Sequence, residues 1–355
     1  MKKIIFNNQN SPFYESVKAD VQKYFSEKLV SPTGDLRLYL KTVILLISFV
    51  AIYTWLIFFT PGVWVAIVLC LLFGLVKSSI GFNIMHDACH GSYSKRKWVN
   101  ELFGYTMNLL GANGYMWKIK HNIIHHTYTN IDGVDDDIAK APLIRHCESQ
   151  PKYKMHKYQY LYLIPAYAIS TIAWVFVADF RKYFAQRIYT TEMRHMNLKE
   201  HFIFWGTKVF YVGFYIVLPL IFVGWVKFLI GFFIYHAAMG ISLSVVFQLA
   251  HAVDLTEFVD GKKEGTLRIE EEWAAHQVKT TANFAMNNRV ISWFVGGLNF
   301  QVEHHLFPRV SHIHYPAISK IVKRNCEKFS LPYNYHRTMI GAIVSHIKYM
   351  KQLGQ

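Results

Sequence analysis

The sequence is poor in thiols and charge. Four cysteines (Cys70, Cys89, Cys147, Cys326) are spread over 355 residues with no C-x-x-C pair. That argues against a disulfide framework and against thiolate zinc or iron–sulfur sites, and it fits a reducing compartment. Charged residues make up only 17% against 52% hydrophobic, which excludes an ordinary soluble domain of this length. Acidic residues are the scarcer sign, 23 against 38 lysines and arginines, for a formal net charge of +15. The basic residues lie between apolar runs, so anionic headgroups and an acidic protein partner suit them better than nucleic acid. Residues 1–38 are polar and show no cleavable signal peptide. No internal repeat or linker divides the chain.

Histidine is what the chain does have. His86-Asp-Ala-Cys-His90, His121-Asn-Ile-Ile-His125-His126 and Gln301-Val-Glu-His304-His305 form three clusters. Residues four apart share a helix face, so His86 with His90, and His121 with His125, can each aim two imidazoles at one site. Each cluster sits near a long apolar segment. Together they point to metal ligation at one end of a membrane bundle. Cys89, inside the first cluster, reads as a packed residue, since sulfur would be the odd donor among nitrogens.

Runs of about the ~20 residues that cross a bilayer occur at 40–60, 63–83, 202–224 and 227–248. They form two hairpins with nearly uncharged turns. Segment 102–117 is short and glycine-rich, and 160–178 is interrupted by Pro165; both are expected at the interface. Parity requires this: if 160–178 also crossed, His304 and His305 would lie across the membrane from His86 and His121. Charge placement agrees. Of the 38 basic residues, 7 fall in 1–41, 15 in 86–201 and 13 in 252–355, while the hairpin turns contribute only Lys227. The positive-inside rule then places both termini and every histidine cluster in the cytoplasm. The expected fold is an all-α integral membrane protein, with four spans and a cytosolic helical cap. Residues 1–38 form an N-terminal segment, where Val17, Val21 and Phe25 suit an amphipathic helix on the membrane surface or in water. Residues 39–355 form one domain.

His251 follows the last span on the cluster side and reads as an eighth ligand. His236 lies deeper and suits a helix–helix hydrogen bond; His276 is left out of the metal set. Eight imidazoles exceed one tetrahedral zinc and fit two ions with positions open for oxygen or water. Ligating histidines pass their other N–H to a carboxylate or carbonyl. Asp87, Asp135, Asp136, Asp137 and Glu303 are the nearby carboxylates for that duty.

These boxes resemble those of the membrane fatty acid desaturases. The likeness runs from about residue 70 to 350. The glutamine that opens Gln301-Val-Glu-His304-His305 is similar to the front-end branch, as are Thr280-Thr-Ala-Asn283, Gly296-Gly-Leu-Asn299 and Leu306-Phe-Pro308. Within that branch the chain resembles the cyanobacterial delta-6 (linoleoyl) desaturase type. The resemblance implies an oxygen-dependent di-iron enzyme that removes two hydrogens from an acyl chain, carried on a lipid or on CoA. His86, His90, His121, His125, His126, His251, His304 and His305 would bind two irons, and Gln301 would act at the ninth position through water. Many front-end desaturases carry a fused cytochrome b5 domain with a His-Pro-Gly-Gly motif, and this sequence shows no such motif. Electrons would come from a separate donor, a ferredoxin or a free cytochrome b5-like protein, and the location implied is a bacterial inner membrane. Two rivals are a di-iron hydroxylase or ketolase of a lipid or carotenoid, and a histidine-rich metal transporter. The first would yield hydroxy acids without a new double bond; the second would place its ligands within the spans.

Overall fold

A computed structural model describes residues 4–8, 11–262 and 265–355. Within the expected N-terminal segment, residues 1–3 and 9–10 lie outside the described residues. The chain is mostly helical. Among the described residues, five helices are long and apolar enough to cross a membrane: Leu36–Phe59, Val63–His90, Lys154–Ala185, Leu198–Val223 and Trp225–His251. Four contain the expected spans. The fifth covers the segment expected at the interface; Pro165 sits inside it without ending it.

These helices are apolar on the outside. Ile44, Ile47, Val50, Val65, Val68, Ile221 and Phe233 are exposed, an arrangement that only lipid solvates well. Trp55, Trp64 and Trp225 are exposed near the two hairpin turns, where amphipathic rings sit at a bilayer surface. Two glycines bring the backbones together. A Cβ on Gly74 would run into the Tyr235 carbonyl, and one on Gly240 into the Tyr167 carbonyl. The Trp225–His251 helix thus packs closely against both Val63–His90 and Lys154–Ala185.

Both ends of Lys154–Ala185 contact the histidine-bearing cap. Near its start, Gln159 bonds to the Met350 and Arg145 carbonyls. Near its end, Lys182 meets Asp136 at 2.8 Å and Asp179 accepts from the Asn113 N–H. Segment 102–117 breaks into short helices, Thr106–Leu109 and Gly114–Lys118 among them, and is not one of the five candidates.

The cap is not purely helical. Ile4–Phe6 pairs with Leu267–Ile269, Ile131–Asp132 with Val259–Asp260, and Asn283–Phe284 with Tyr335–His336, each in parallel register; Arg187–Ile188 and Thr191–Glu192 pair antiparallel. These short ladders satisfy backbone groups where distant segments meet over the histidines. Pro12–Lys28 is the amphipathic N-terminal helix. Its Phe13, Val17 and Val21 are buried against Val278, Val302, Ile318 and Val322. Of the two surroundings expected for it, neither lipid nor water covers its apolar face; the cap does.

Candidate metal centre

Four elements deliver the imidazoles. A π-helical turn, Gly81–Met85, leads into His86 and His90 at the end of the Val63–His90 helix. The helix stops at Gly91, whose φ of 75° suits glycine. Asn113 caps Gly114–Lys118 by accepting from the Met116 N–H, and the chain continues as a π-helical stretch, Ile119–His125. π-helical turns are rare and gather at functional sites. His251 ends the Trp225–His251 helix, and the short Gln301–Leu306 helix carries His304 and His305.

The histidines converge in two adjoining groups. Ring nitrogens of His86, His90, His121 and His304 lie within 4.8 Å of one another, as do those of His125, His251 and His305. His126 stands between the groups, its ring 4.6 Å from His304 and 4.5 Å from His305. Gln301 is buried on the first turn of the helix that carries His304 and His305, and its Nε2 has no partner. The pairing expected from four-residue spacing holds for His86 with His90. It holds for His121 with His125 too: beyond the two groups that each joins separately, their ring nitrogens and an Asp137 oxygen lie within 4.8 Å of one another.

The site is built for a cation. Among the described residues, the buried Nε2 of His90, His125, His251, His304 and His305 and the buried Nδ1 of His126 find no partner. An unmet buried polar atom costs about 1–3 kcal/mol. Six would rival the ~5–15 kcal/mol that holds a whole domain together, unless metal ions take those nitrogens. His86 and His121 even turn their Nε2 atoms toward each other at 3.2 Å, which suits two donors aimed at one ion. Burial, and then the neighbouring imidazoles, hold His121, His126, His304 and His305 well below the ordinary histidine pKa. They are therefore neutral, the form that binds metal.

The opposite ring nitrogens are anchored. His125 Nδ1 meets Asp135 at 3.0 Å and Asp137 at 3.5 Å. Burial alone would lower the His125 pKa, but the two carboxylates outweigh it and raise it. His305 Nδ1 lies 2.8 Å from Gln277 Oε1, and His304 Nδ1 lies 3.0 Å from the Tyr315 hydroxyl. His251 Nδ1 reaches the Thr280 carbonyl at 3.4 Å. Of the five carboxylates expected to help, only Asp135 and Asp137 touch a site histidine. Asp136 binds Lys120 and Lys182. Asp87 accepts from Ser311 and faces His312 Nδ1 at 3.0 Å. Glu303 accepts from Asn283 and Tyr333. Spacing could not reveal Gln277, Tyr315 or Thr280, because neutral groups distant in sequence carry no metal-site signature.

The remaining expectations find their places. Cys89 is buried beside Gly104. His236 is hydrogen-bonded to Thr171 at 2.8 Å and Tyr211 at 2.7 Å, linking three of the long helices. His276 donates to the Thr129 carbonyl at 2.8 Å and joins neither group. An apolar cavity descends from His86 between the long helices, walled by Gly81, Met85, Val175, Met239 and Leu243.

A family model described as fatty acid desaturase matches residues 62–337. The chain belongs to the fatty acid desaturase family. This desaturase is 36% identical to the sn-1 linoleoyl-lipid 6-desaturase of Arthrospira platensis, over 96% of its own length and 92% of the relative's. It is 31% identical to the protein of that name from Synechocystis sp., over 98% and 97% of the two chains. It is 34% identical to an acyl-lipid (8-3)-desaturase of Physcomitrium patens, over 98% of its own length and 72% of the relative's. The chain is thus an oxidoreductase that desaturates fatty acyl chains in a membrane, with buried histidine groups fit to hold metal.

Proposed function

We propose that this desaturase introduces a double bond at the front end of a linoleoyl-type acyl chain, delta-6-like, using two irons and dioxygen. One observation carries the reading: two adjoining groups of buried imidazoles meet, one of them opening through His86 onto an apolar cavity, in a chain 36% identical to a linoleoyl-lipid 6-desaturase. His86, His90, His121 and His304 would hold one iron, and His125, His251 and His305 the other. His126 would complete the set between them, with Gln301 acting through water. Iron bound there would supply the oxidising power that an unactivated methylene C–H demands.

The protein's own part is placement and exclusion. Gln277, Tyr315 and Asp135 fix ring orientation at the nitrogens that do not face the ions. The cavity's apolar walls keep the reacting carbons dry, so that the oxidant meets only the acyl chain. The acyl carrier is a glycerolipid or CoA. The two hydrogens taken from the acyl chain, with two electrons from a donor and two protons from solvent, reduce dioxygen to two waters. The donor is a separate acidic protein, a ferredoxin or a free cytochrome b5-like carrier, drawn to the basic cytosolic face.

We also propose four spans in one domain covering 39–355, with Lys154–Ala185 and 102–117 at the interface. The contacts at both ends of Lys154–Ala185 with cap residues support this. Both termini and the site then face the cytoplasm, in a bacterial inner membrane. The decisive experiment is expression in a host fed linoleate, with analysis of fatty acid methyl esters. The expected product is the 6,9,12-triene. Hydroxy acids with no new double bond would point instead to a di-iron hydroxylase or ketolase.

A further inference from the structure

Trp273 reaches the metal centre from the cap. Its indole Nε1–H donates to the His126 carbonyl at 3.1 Å, and His126 is the imidazole that stands between the two groups. The Trp273 side chain is only partly buried, so one residue joins the protein surface to a site histidine. Other aromatic rings beside the site do not make this join. Trp117, stacked on His121 at 4.4 Å, and Tyr315, 6.1 Å from His304, are buried. Phe247, 6.0 Å from His121, lines the apolar cavity.

The N-terminal helix borders this indole. Tyr14 meets Trp273 edge-on at 5.7 Å and stacks on Phe307 at 6.4 Å. Glu272 fixes the arrangement by accepting from the Phe13 and Tyr14 N–H groups. Two cations flank Tyr14: Lys18 Nζ lies 5.8 Å from its ring, and Lys328 Nζ lies 3.1 Å from Ser16 Oγ. Lys328 ends the helix Tyr315–Lys328, which packs on Pro12–Lys28 through Val322 and Val17. Together the two helices carry seven lysines and arginines against four acids. Lys320, Lys323, Arg324 and Lys328 are all exposed.

We propose that Trp273 is where electrons enter, and that the face made by these two helices docks an acidic one-electron carrier protein. The inference rests on the di-iron desaturase reading. Electronic coupling falls steeply across gaps and less steeply along bonds and hydrogen bonds. From the indole to the His126 ring the path is covalent apart from one hydrogen bond. Each transfer oxidises a carrier by one electron and reduces one ferric ion to ferrous, and no bond to carbon changes. Two transfers supply the two donor electrons of the reaction. The excess of positive charge steers an acidic partner to this face, an attraction that salt screens.

The test uses the full-length, iron-loaded protein with two carriers, a plant-type [2Fe–2S] ferredoxin and a soluble cytochrome b5. Oxidised carriers, which have no electron to give, measure docking alone. The double variant Lys18→Glu, Lys328→Glu is expected to bind at least one carrier tenfold more weakly at low salt, with the difference lost at high salt. Trp273→Leu is expected to bind as the wild type does. Reduced carriers, mixed anaerobically, then measure electron entry from the rate at which iron is reduced. Trp273→Leu is expected to slow this at least tenfold while dithionite, a small reductant, works at the wild-type rate. Trp273→Phe, which keeps a ring and loses the N–H, should fall between. Carrier rates that do not change, or that change equally with dithionite, would overturn the entry role. Unchanged binding of both carriers by the double variant would overturn the docking face. If Trp273→Leu does not accumulate, a wild-type carrier rate in Trp273→Phe overturns the entry role alone. Wild-type protein whose iron dithionite cannot reduce would count instead against the di-iron reading.

Discussion

The Asp135 carboxylate lies 3.0 Å from His125 Nδ1 while His125 Nε2 points, unpartnered, toward His251 and His305. One side of the ring is anchored and the other left free, which fixes the tautomer that can bind metal. Asp135→Asn keeps the shape and removes the charge. Iron affinity is expected to fall about 10–100-fold, measured as iron per chain after dialysis against graded chelator. Wild-type retention would remove Asp135 from this role.

Gln277 accepts from Thr129 as well as facing His305. Gln277→Leu leaves His305 Nδ1 with the Thr129 hydroxyl alone, 3.2 Å away. The expected result is a loss of iron of similar size, with membrane insertion unchanged. Gln277→Glu, which still accepts, is expected to recover most of it. Equal losses in both variants would mean that packing, not ring orientation, is what Gln277 provides.

Replacing His90, His126 or His305 by alanine is expected to abolish desaturation while the protein still inserts. Each removes a nitrogen that the surrounding structure leaves unpaired or turns toward another imidazole. Chelator treatment of the intact enzyme should have the same effect, with activity restored by ferrous iron and not by zinc. Recovery with zinc would refute the redox reading.

The proposed topology makes a labelling prediction. Single cysteines at Lys157 and Gln186, on either side of the fifth long helix, should react with a membrane-impermeant maleimide from the same side. Cysteines at Gly62 and Gly224, in the hairpin turns, should react from the other. Opposite labelling of Lys157 and Gln186 would make Lys154–Ala185 a span.

Much of the site was legible because its chemistry is concentrated. Imidazoles at four-residue spacing beside long apolar runs announce metal in a membrane bundle. His251 could be read from its place after a span, and His236 from its depth. The support around the site was not legible in this way. Asp87 adjoins His86 in sequence yet turns to His312 and Ser311, and Glu303 adjoins His304 yet turns to Tyr333. Neighbours along a helix point about 100° apart, so adjacency there works against contact.

By itself the sequence determined which candidate donors the chain offers and the lengths of apolar chain that carry them, because donor chemistry and hydropathy belong to residues. The tertiary structure alone decided how the imidazoles divide. His304 and His305 enter different groups, while His121 and His125 each enter one of them and also meet beside Asp137, because ring direction depends on helix rotation and on which cap segment packs opposite. It alone also placed Gln277, Tyr315 and Thr280, since neutral groups acquire these roles only by where the fold sets them.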